Sequence, residues 1–134
     1  MTNHYLAIDV GSTSVSSVII DIELNSLIGS STVPNTSEVT KLQDKNSGRS
    51  EWDLDQMAIL AIENARHLID ETNAKPAAIG VTGQQQGLQL LDENLNTIGN
   101  FISWQDQRAK DLIPGKNHSY LDAMGEIANA IIEN

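Results

Sequence analysis

No cysteine occurs in the 134 residues. That removes disulfides, thiolate metal sites and cysteine nucleophiles together, and it agrees with a reducing compartment. Positive charge is scarce as well: eight Lys and Arg stand against 18 Asp and Glu, for a net charge of −10. A surface so acidic repels phosphate backbones and anionic lipid heads, so neither nucleic acid nor membrane is an expected partner. No apolar run approaches transmembrane length, and Met1-Thr2-Asn3-His4-Tyr5 lacks the basic start of a secretory signal. A cytoplasmic location is expected. Neither G-x-x-x-x-G-K-[ST] nor G-x-G-x-x-G is present, which excludes the two best-known glycine loops for nucleotides. Internal repeats and low-complexity tracts are absent, and His4, His67 and His118 have no partner at ligand spacing.

What is present describes one soluble globular domain: 40% of residues are hydrophobic and 19% charged, and the length suffices for a real core. The chain is organised around Ile8-Asp9-Val10-Gly11-Ser12-Thr13-Ser14, where a strand ends in an acid and a Gly/Ser/Thr turn before resuming as Val15–Ile20. Gly11 has no Cβ, so it can take a positive φ and let another group approach the main chain. Successive N–H groups in such a turn can cradle an anion, with Ser12, Thr13 and Ser14 adding hydroxyl donors. Asp9 supplies a hard oxygen of the kind that holds magnesium through its water shell. An ordinary β-hairpin turn accounts for the same residues.

After the hairpin, Leu27–Val33 reads as a third strand, making an antiparallel meander, and Pro34–Ser50 as a long surface loop. Glu51-Trp52-Asp53 closes that loop and opens a helix, with Asp53 as N-cap and Gln56 completing a capping-box variant. Leu54, Met57, Ala58, Ala61, Ala65, Leu68 and Ile69 form its apolar stripe, opposite Glu63, Arg66 and Asp70. The helix is predicted to end near Thr72, before Asn73 and Pro76. Ala77–Thr82 follows as a buried strand, giving a mixed sheet with a helix on its face, an α/β architecture. Leu88–Leu91 and Ile98–Ile102 flank the turn Asp92–Asn96 as a further hairpin. A second helix is predicted from near Ser119, capped through Asp122, with Leu121, Met124, Ala128, Ile131 and Ile132 as its stripe, running on to Asn134.

Two polar clusters remain. Gln84, Gln85 and Gln86 lie between Gly83 and Gly87; each amide offers donor and acceptor, which suits a polyhydroxylated ligand, while a polar turn between strands is the alternative. Trp104, Asp106 and Arg108 alternate after a strand and, if extended, share one side. An indole can cover a sugar face, an acid can accept from hydroxyls, and an arginine can clamp an anion or fix the acid. A packing aromatic followed by a surface ion pair is the alternative, and the readier one for these residues taken alone.

In this order, Ala7–Val15, Trp52-Asp53, Ile79–Leu88, Leu91–Asn94 and Trp104–Arg108 resemble the start of an FGGY-family carbohydrate kinase of the xylulokinase and sedoheptulokinase kind. The resemblance spans roughly residues 5 to 110. It implies an actin/hexokinase-type ATPase fold of ribonuclease H-like topology, a mixed sheet flanked by helices, with ATP and sugar meeting between two lobes. It implies that residues 1–134 form one domain, an incomplete N-terminal lobe, with a phosphate hairpin at 5–22 and sugar segments at 83–87 and 104–108. Asp9, Gly11, Ser12, Thr13 and Ser14 then contact Mg-ATP, with Asp9 facing the magnesium, and Gln84, Gln85, Gln86, Trp104, Asp106 and Arg108 contact the sugar. Xylulokinase-like members carry Met-His, and glycerol kinases Arg-Glu, where this chain has Gln85-Gln86; the glutamines point to a ketose such as xylulose, ribulose or sedoheptulose. Family members are several times longer and their catalytic base lies beyond Asn134, so an inactive fragment of a longer kinase is expected, with a homodimer as a further expectation. The alternatives are a non-catalytic module binding a sugar or a protein, and a chaperone-like or cell-shape branch of the same superfamily.

Overall fold

Alternation along the first two strands decides which side of the sheet is core. In β1 (His4–Val10) Leu6 and Ile8 are buried, and in β2 (Ser14–Asp21) so are Val15, Ser17 and Ile19. The antiparallel register pairs Leu6 with Ile19, Ile8 with Ser17 and Val10 with Val15, so these residues share one face. A third strand, β3 (Ser26–Pro34), adds antiparallel to β2. The computed structural model describes residues 3–132.

The expected loop at 34–50 is more structured than its composition suggests. It holds a short helix, α1 (Leu42–Asn46), and Glu38 bridges to Trp52. Glu51 and Trp52 do not merely precede a helix; they form strand β4 of a second sheet, and Trp52 is buried. A two-residue strand has too little period to be read from sequence.

Helix α2 (Leu54–Thr72) begins and ends where predicted. The Asp53 carboxylate accepts the Gln56 N–H at 2.9 Å, and Asn73 takes a left-handed conformation with φ 50° at the C-terminus. Met57, Ala61, Ala65 and Leu68 are buried, and Glu63, Arg66 and Asp70 are exposed. Ala58, expected in the stripe, faces solvent, and Asn64 belongs to the buried face. The core is thus Leu6, Ile8, Val15 and Ile19 against Ala61, Ala65 and Leu68. Fully burying a Leu or Ile is worth ~1.5–3 kcal/mol, so this face supplies most of the drive to fold.

β5 (Pro76–Gly83) returns parallel to β1 and completes the order β3-β2-β1-β5. The expectation of a buried strand is corrected here. Ile79 is 61% and Val81 71% exposed. Their register partners Leu6 and Ile8 are buried, because α2 lies across β1, β2 and β3 and stops short of this edge strand. Apolar composition identified the strand without revealing what covers it.

β6 (Leu88–Leu91) and β7 (Thr97–Ile102) form the expected hairpin, whose turn closes on Asp92: its carboxylate accepts the N–H groups of Asn94 and Asn96, both at 2.8 Å. With β4 they make the three-stranded sheet β4-β7-β6. A single 3-10 turn (Arg108–Lys110) and helix α3 (Tyr120–Ile132) follow. The Ser119–Asp122 cap forms as expected, with the Ser119 N–H and hydroxyl both reaching Asp122, at 2.8 and 2.7 Å. Leu121 and Met124 are exposed rather than packed. Ala128, Ile131 and Ile132 of the expected stripe, and the run to Asn134, lie outside the residues whose side chains are described. Among the described residues no helix is long and apolar enough to cross a membrane.

Candidate functional site

The turn between β1 and β2 is tied down through its carbonyls. Asn35 does most of this: its amide donates to the Gly11 carbonyl at 2.8 Å, and its backbone N–H donates to the Thr13 carbonyl at 2.9 Å. The Gly11 N–H donates to the Ser14 carbonyl at 3.0 Å. Among the described residues the N–H groups of Ser12 and Thr13 donate to no protein acceptor. A turn held through the carbonyls of Gly11, Thr13 and Ser14, with two N–H groups free, can receive an anion. Gly11 serves by close packing rather than by a left-handed backbone: its φ is not positive, and a Cβ there would stand 3.0 Å from the Ser14 oxygen. Asn35 was missed at the sequence level, although Asn35-Thr36-Ser37 has the form of an Asx turn, which it makes, the Ser37 N–H donating to its side-chain oxygen at 3.1 Å.

Asp9 alternates with the buried Ile8, so it lies on the sheet face opposite α2, in register with Ser16 and Thr82. It is exposed and makes no ion pair among the described residues. No group of three or more His, Asp or Glu close enough to share a metal occurs among those residues. A hydrated magnesium held largely by phosphate oxygens requires only one such carboxylate.

The glutamine segment begins beside the same turn. Val10 and Gly83 pair at the ends of β1 and β5, and the Gln84 N–H donates to the Val10 carbonyl at 3.0 Å. Gln84 and Gln85 line a hollow with Val10, Met57, Thr82 and Phe101. Among the described residues neither polar atom of the buried Gln84 amide has a protein partner, an uncommon condition for a native side chain. Gln86 sits at φ 61°, and Gly87 packs against the Phe101 ring so closely that a Cβ would fall 1.9 Å from it.

Trp104, Asp106 and Arg108 do not share a side, because the segment is a turn and not an extended strand. The Asp106 N–H donates to the Ser103 carbonyl at 3.1 Å, turning Trp104 outward, 57% exposed, while the Asp106 side chain is 2% exposed. The Asp106 carboxylate accepts four bonds, from the Ser50 and Arg108 backbone N–H groups and from Nε and Nη2 of Arg108, each at 2.8 Å. Burial alone would raise its pKa; those bonds and the guanidinium charge overcome it and lower the carboxyl to about 2. Arg108 also donates to Glu51 at 2.6 Å, and its own pKa is raised, chiefly by Asp106. Glu51 is held low by the Asn100 amide and by Arg108. Of the alternatives open for Arg108, this geometry is that of an arginine fixing an acid. Glu51 was overlooked as a partner because nothing local links it to residue 108.

Two site segments therefore meet at adjacent strand ends, and the third reaches the same turn through Gln105 but not through Arg108. The Gly11–Ser14 turn and Gln84 leave adjacent strand ends, and Ser12 and Thr13 face Gln105 across a polar hollow. Arg108 faces a different depression, with Arg49, Asp111 and Tyr120, and does not share the hollow of Gln84 and Gln85.

Residues 4–118 match the model of the FGGY family of carbohydrate kinases, N-terminal domain. A xylulose kinase of Staphylococcus epidermidis is 29% identical over 106 residues, covering 77% of this chain and 20% of that protein. A glycerol kinase of Roseobacter denitrificans is 30% identical over 109 residues, covering 78% and 21%. Among solved structures, a gluconate kinase from Lactobacillus acidophilus superposes with a TM-score of 0.74 at 24% identity, over 94% of this chain and 23% of that one. The chain spans about a fifth of the length of the curated relatives it matches.

Proposed function

The chain belongs to the FGGY family of carbohydrate kinases and has their actin/hexokinase-type ATPase fold, and from that premise we propose that the whole protein moves the γ-phosphoryl group of ATP onto a hydroxyl of a ketose such as xylulose, ribulose or sedoheptulose. The observation that carries this is the adjacency of the Gly11–Ser14 turn and Gln84 at the ends of two hydrogen-bonded parallel strands. Ligands of α/β sheets gather at the carboxyl ends of parallel strands, and here a donor-rich turn and an unpartnered amide stand together at that end.

Each residue has a task in this reading. The free N–H groups of Ser12 and Thr13, with the hydroxyls of Ser12, Thr13 and Ser14, hold phosphate oxygens, and Asn35 keeps the turn in shape. Asp9 orients the hydrated magnesium, which when bound offsets charge on the transferring phosphate. Gln84, Gln85 and Gln86 pair with sugar hydroxyls, and the exposed Trp104 offers an indole face to the ring. Asp106 and Arg108 act by holding the turn that carries Trp104. The carboxylate that takes the hydroxyl proton is assigned to sequence other than these 134 residues. Residues 1–134 then serve as one N-terminal domain that supplies one wall of the nucleotide site and part of the sugar site.

The full-length protein is expected to consume ATP with a ketose, and Asp9→Ala to abolish turnover with the circular dichroism and melting temperature unchanged. Absence of ATP consumption across a panel of ketoses and polyols overturns the proposal. The purified 134-residue chain is expected to show no turnover; measurable turnover would place the base within it.

A further inference from the structure

We propose that Gln105 contacts the transferring phosphoryl group directly, reaching it from the segment that carries Trp104. The inference rests on the kinase reading above and adds a residue that no motif singles out. Gln105 lines one hollow together with Ser12, Thr13, Asn35, Glu38 and Trp52. The turn that turns Trp104 outward therefore presents its next residue to the phosphate turn.

The main chain at this point is held from several directions. The Gln105 N–H donates to the Ser103 hydroxyl at 3.2 Å, the Ser103 N–H donates to the Ser50 carbonyl at 3.0 Å, and the two serine hydroxyls lie 2.7 Å apart, buried. Asp106, the next residue, is clamped by Ser50 and Arg108. This anchoring costs the Gln105 side chain nothing: it is exposed and, among the described residues, makes no hydrogen bond. A fixed backbone bearing an uncommitted side chain over a cleft is the arrangement of a ligand contact.

The amide fits the chemistry of the place. Its Nε2 donates, which suits a phosphoryl oxygen, and its Oε1 accepts, which suits the attacking hydroxyl. In the transfer the bond from the γ-phosphorus to its bridging oxygen breaks, a bond to the sugar oxygen forms, and the hydroxyl proton leaves to the base. Gln105 neither gains nor loses a proton; it holds a phosphoryl oxygen and the attacking hydroxyl in position for the transfer. Glu38, the one carboxylate among the described residues lining this hollow, is engaged by Lys45 at 2.6 Å, so the site is not set against an anion.

The test is steady-state kinetics of the full-length protein carrying Gln105→Ala, Gln105→Asn or Gln105→Glu. Gln105→Ala is expected to lower kcat at least about tenfold with KM for the ketose changed less than about threefold, as for a lost bond to a charged transition state. Gln105→Asn keeps part of the rate and Gln105→Glu loses more. All three within about twofold of the parent in kcat overturn the assignment. If the parent phosphorylates no ketose, the kinase reading falls, and the contact is read instead by titration with Mg-ATP. Binding at least about tenfold weaker in Gln105→Glu than in Gln105→Ala supports it through like-charge repulsion, and equal affinity overturns it.

Discussion

Val10 and Gly83 face each other at the end of the parallel pair β1 and β5, so closely that a Cβ on Gly83 would stand 2.9 Å from the Val10 oxygen. That oxygen accepts the Gln84 N–H. Glycine at 83 therefore sets the spacing between the Gly11–Ser14 turn and the glutamine segment, and the candidate site depends on a backbone approach as much as on its polar side chains.

Asp106 should govern part of the acid stability. A carboxyl whose pKa falls to about 2 on folding stabilises the protein above its unfolded value, and that contribution disappears as pH drops from about 4 toward 2. The loss amounts to about 2 kcal/mol at most, since solvent reaches the Arg108 guanidinium. At neutral pH, Asp106→Asn should cost on the order of 3 kcal/mol, because Arg108 and the Ser50 N–H lose a charged acceptor. Urea midpoints measured against pH should converge for the two proteins below pH ~4.

Asn64 is buried between the sheet and α2, where it accepts from the Ser31 hydroxyl at 2.7 Å and donates to the Ser17 hydroxyl at 3.1 Å. Asn64→Ala should destabilise by about 1–3 kcal/mol, with part of the loss coming from Ser17, left buried with no partner there. Adding Ser17→Ala should recover some of it, and a double-mutant cycle in denaturant measures the coupling.

Gly87→Ala should disrupt the β6–β7 hairpin, because the new methyl enters the Phe101 ring. A cost of about 1–3 kcal/mol is expected, as for other overpacked sites. Phe101→Leu in the same chain should restore most of it, read as melting temperature. Sugar affinity should fall with Gly87→Ala, since Phe101 and Gln84 line one hollow.

Leu95 holds φ 66° in the Asp92 turn with its side chain 77% exposed. A left-handed conformation costs a residue with a Cβ ~1–2 kcal/mol, and this leucine buries little in return. Leu95→Gly should therefore stabilise by about 0.5–1 kcal/mol, after allowing for the entropy of glycine in the unfolded chain, measurable by chemical denaturation.

The features legible in the sequence are those made by neighbours along the chain. The β1–β2 hairpin, the span of α2 between Asp53 and Asn73, the Asp92 turn and the Ser119–Asp122 cap all follow from periodicity or a side chain bonding its own backbone. What escaped notice depends on distant partners. Asn64 reads as an interruption of an apolar stripe until Ser17 and Ser31 are seen beneath it. Glu51 and Arg108 pair across more than fifty intervening positions, and Asn35 braces a turn in a different hairpin. Ile79 and Val81 show the same limit in reverse, since hydrophobicity marks them as strand but does not supply a cover.

The connectivity of the first sheet also sets an order of events. Leu6 pairs with Ile19 across a short turn, and with Ile79 only after β3, α2 and the segment between them have been traversed. Local hairpins close quickly and pairing over long sequence separations is slow. The Gly11–Ser14 turn can therefore take shape early, whereas Gln84 reaches its side only when β5 docks. By sequence separation alone, the Gly11–Ser14 turn should precede the Val10–Gly83 pairing that brings Gln84 beside it.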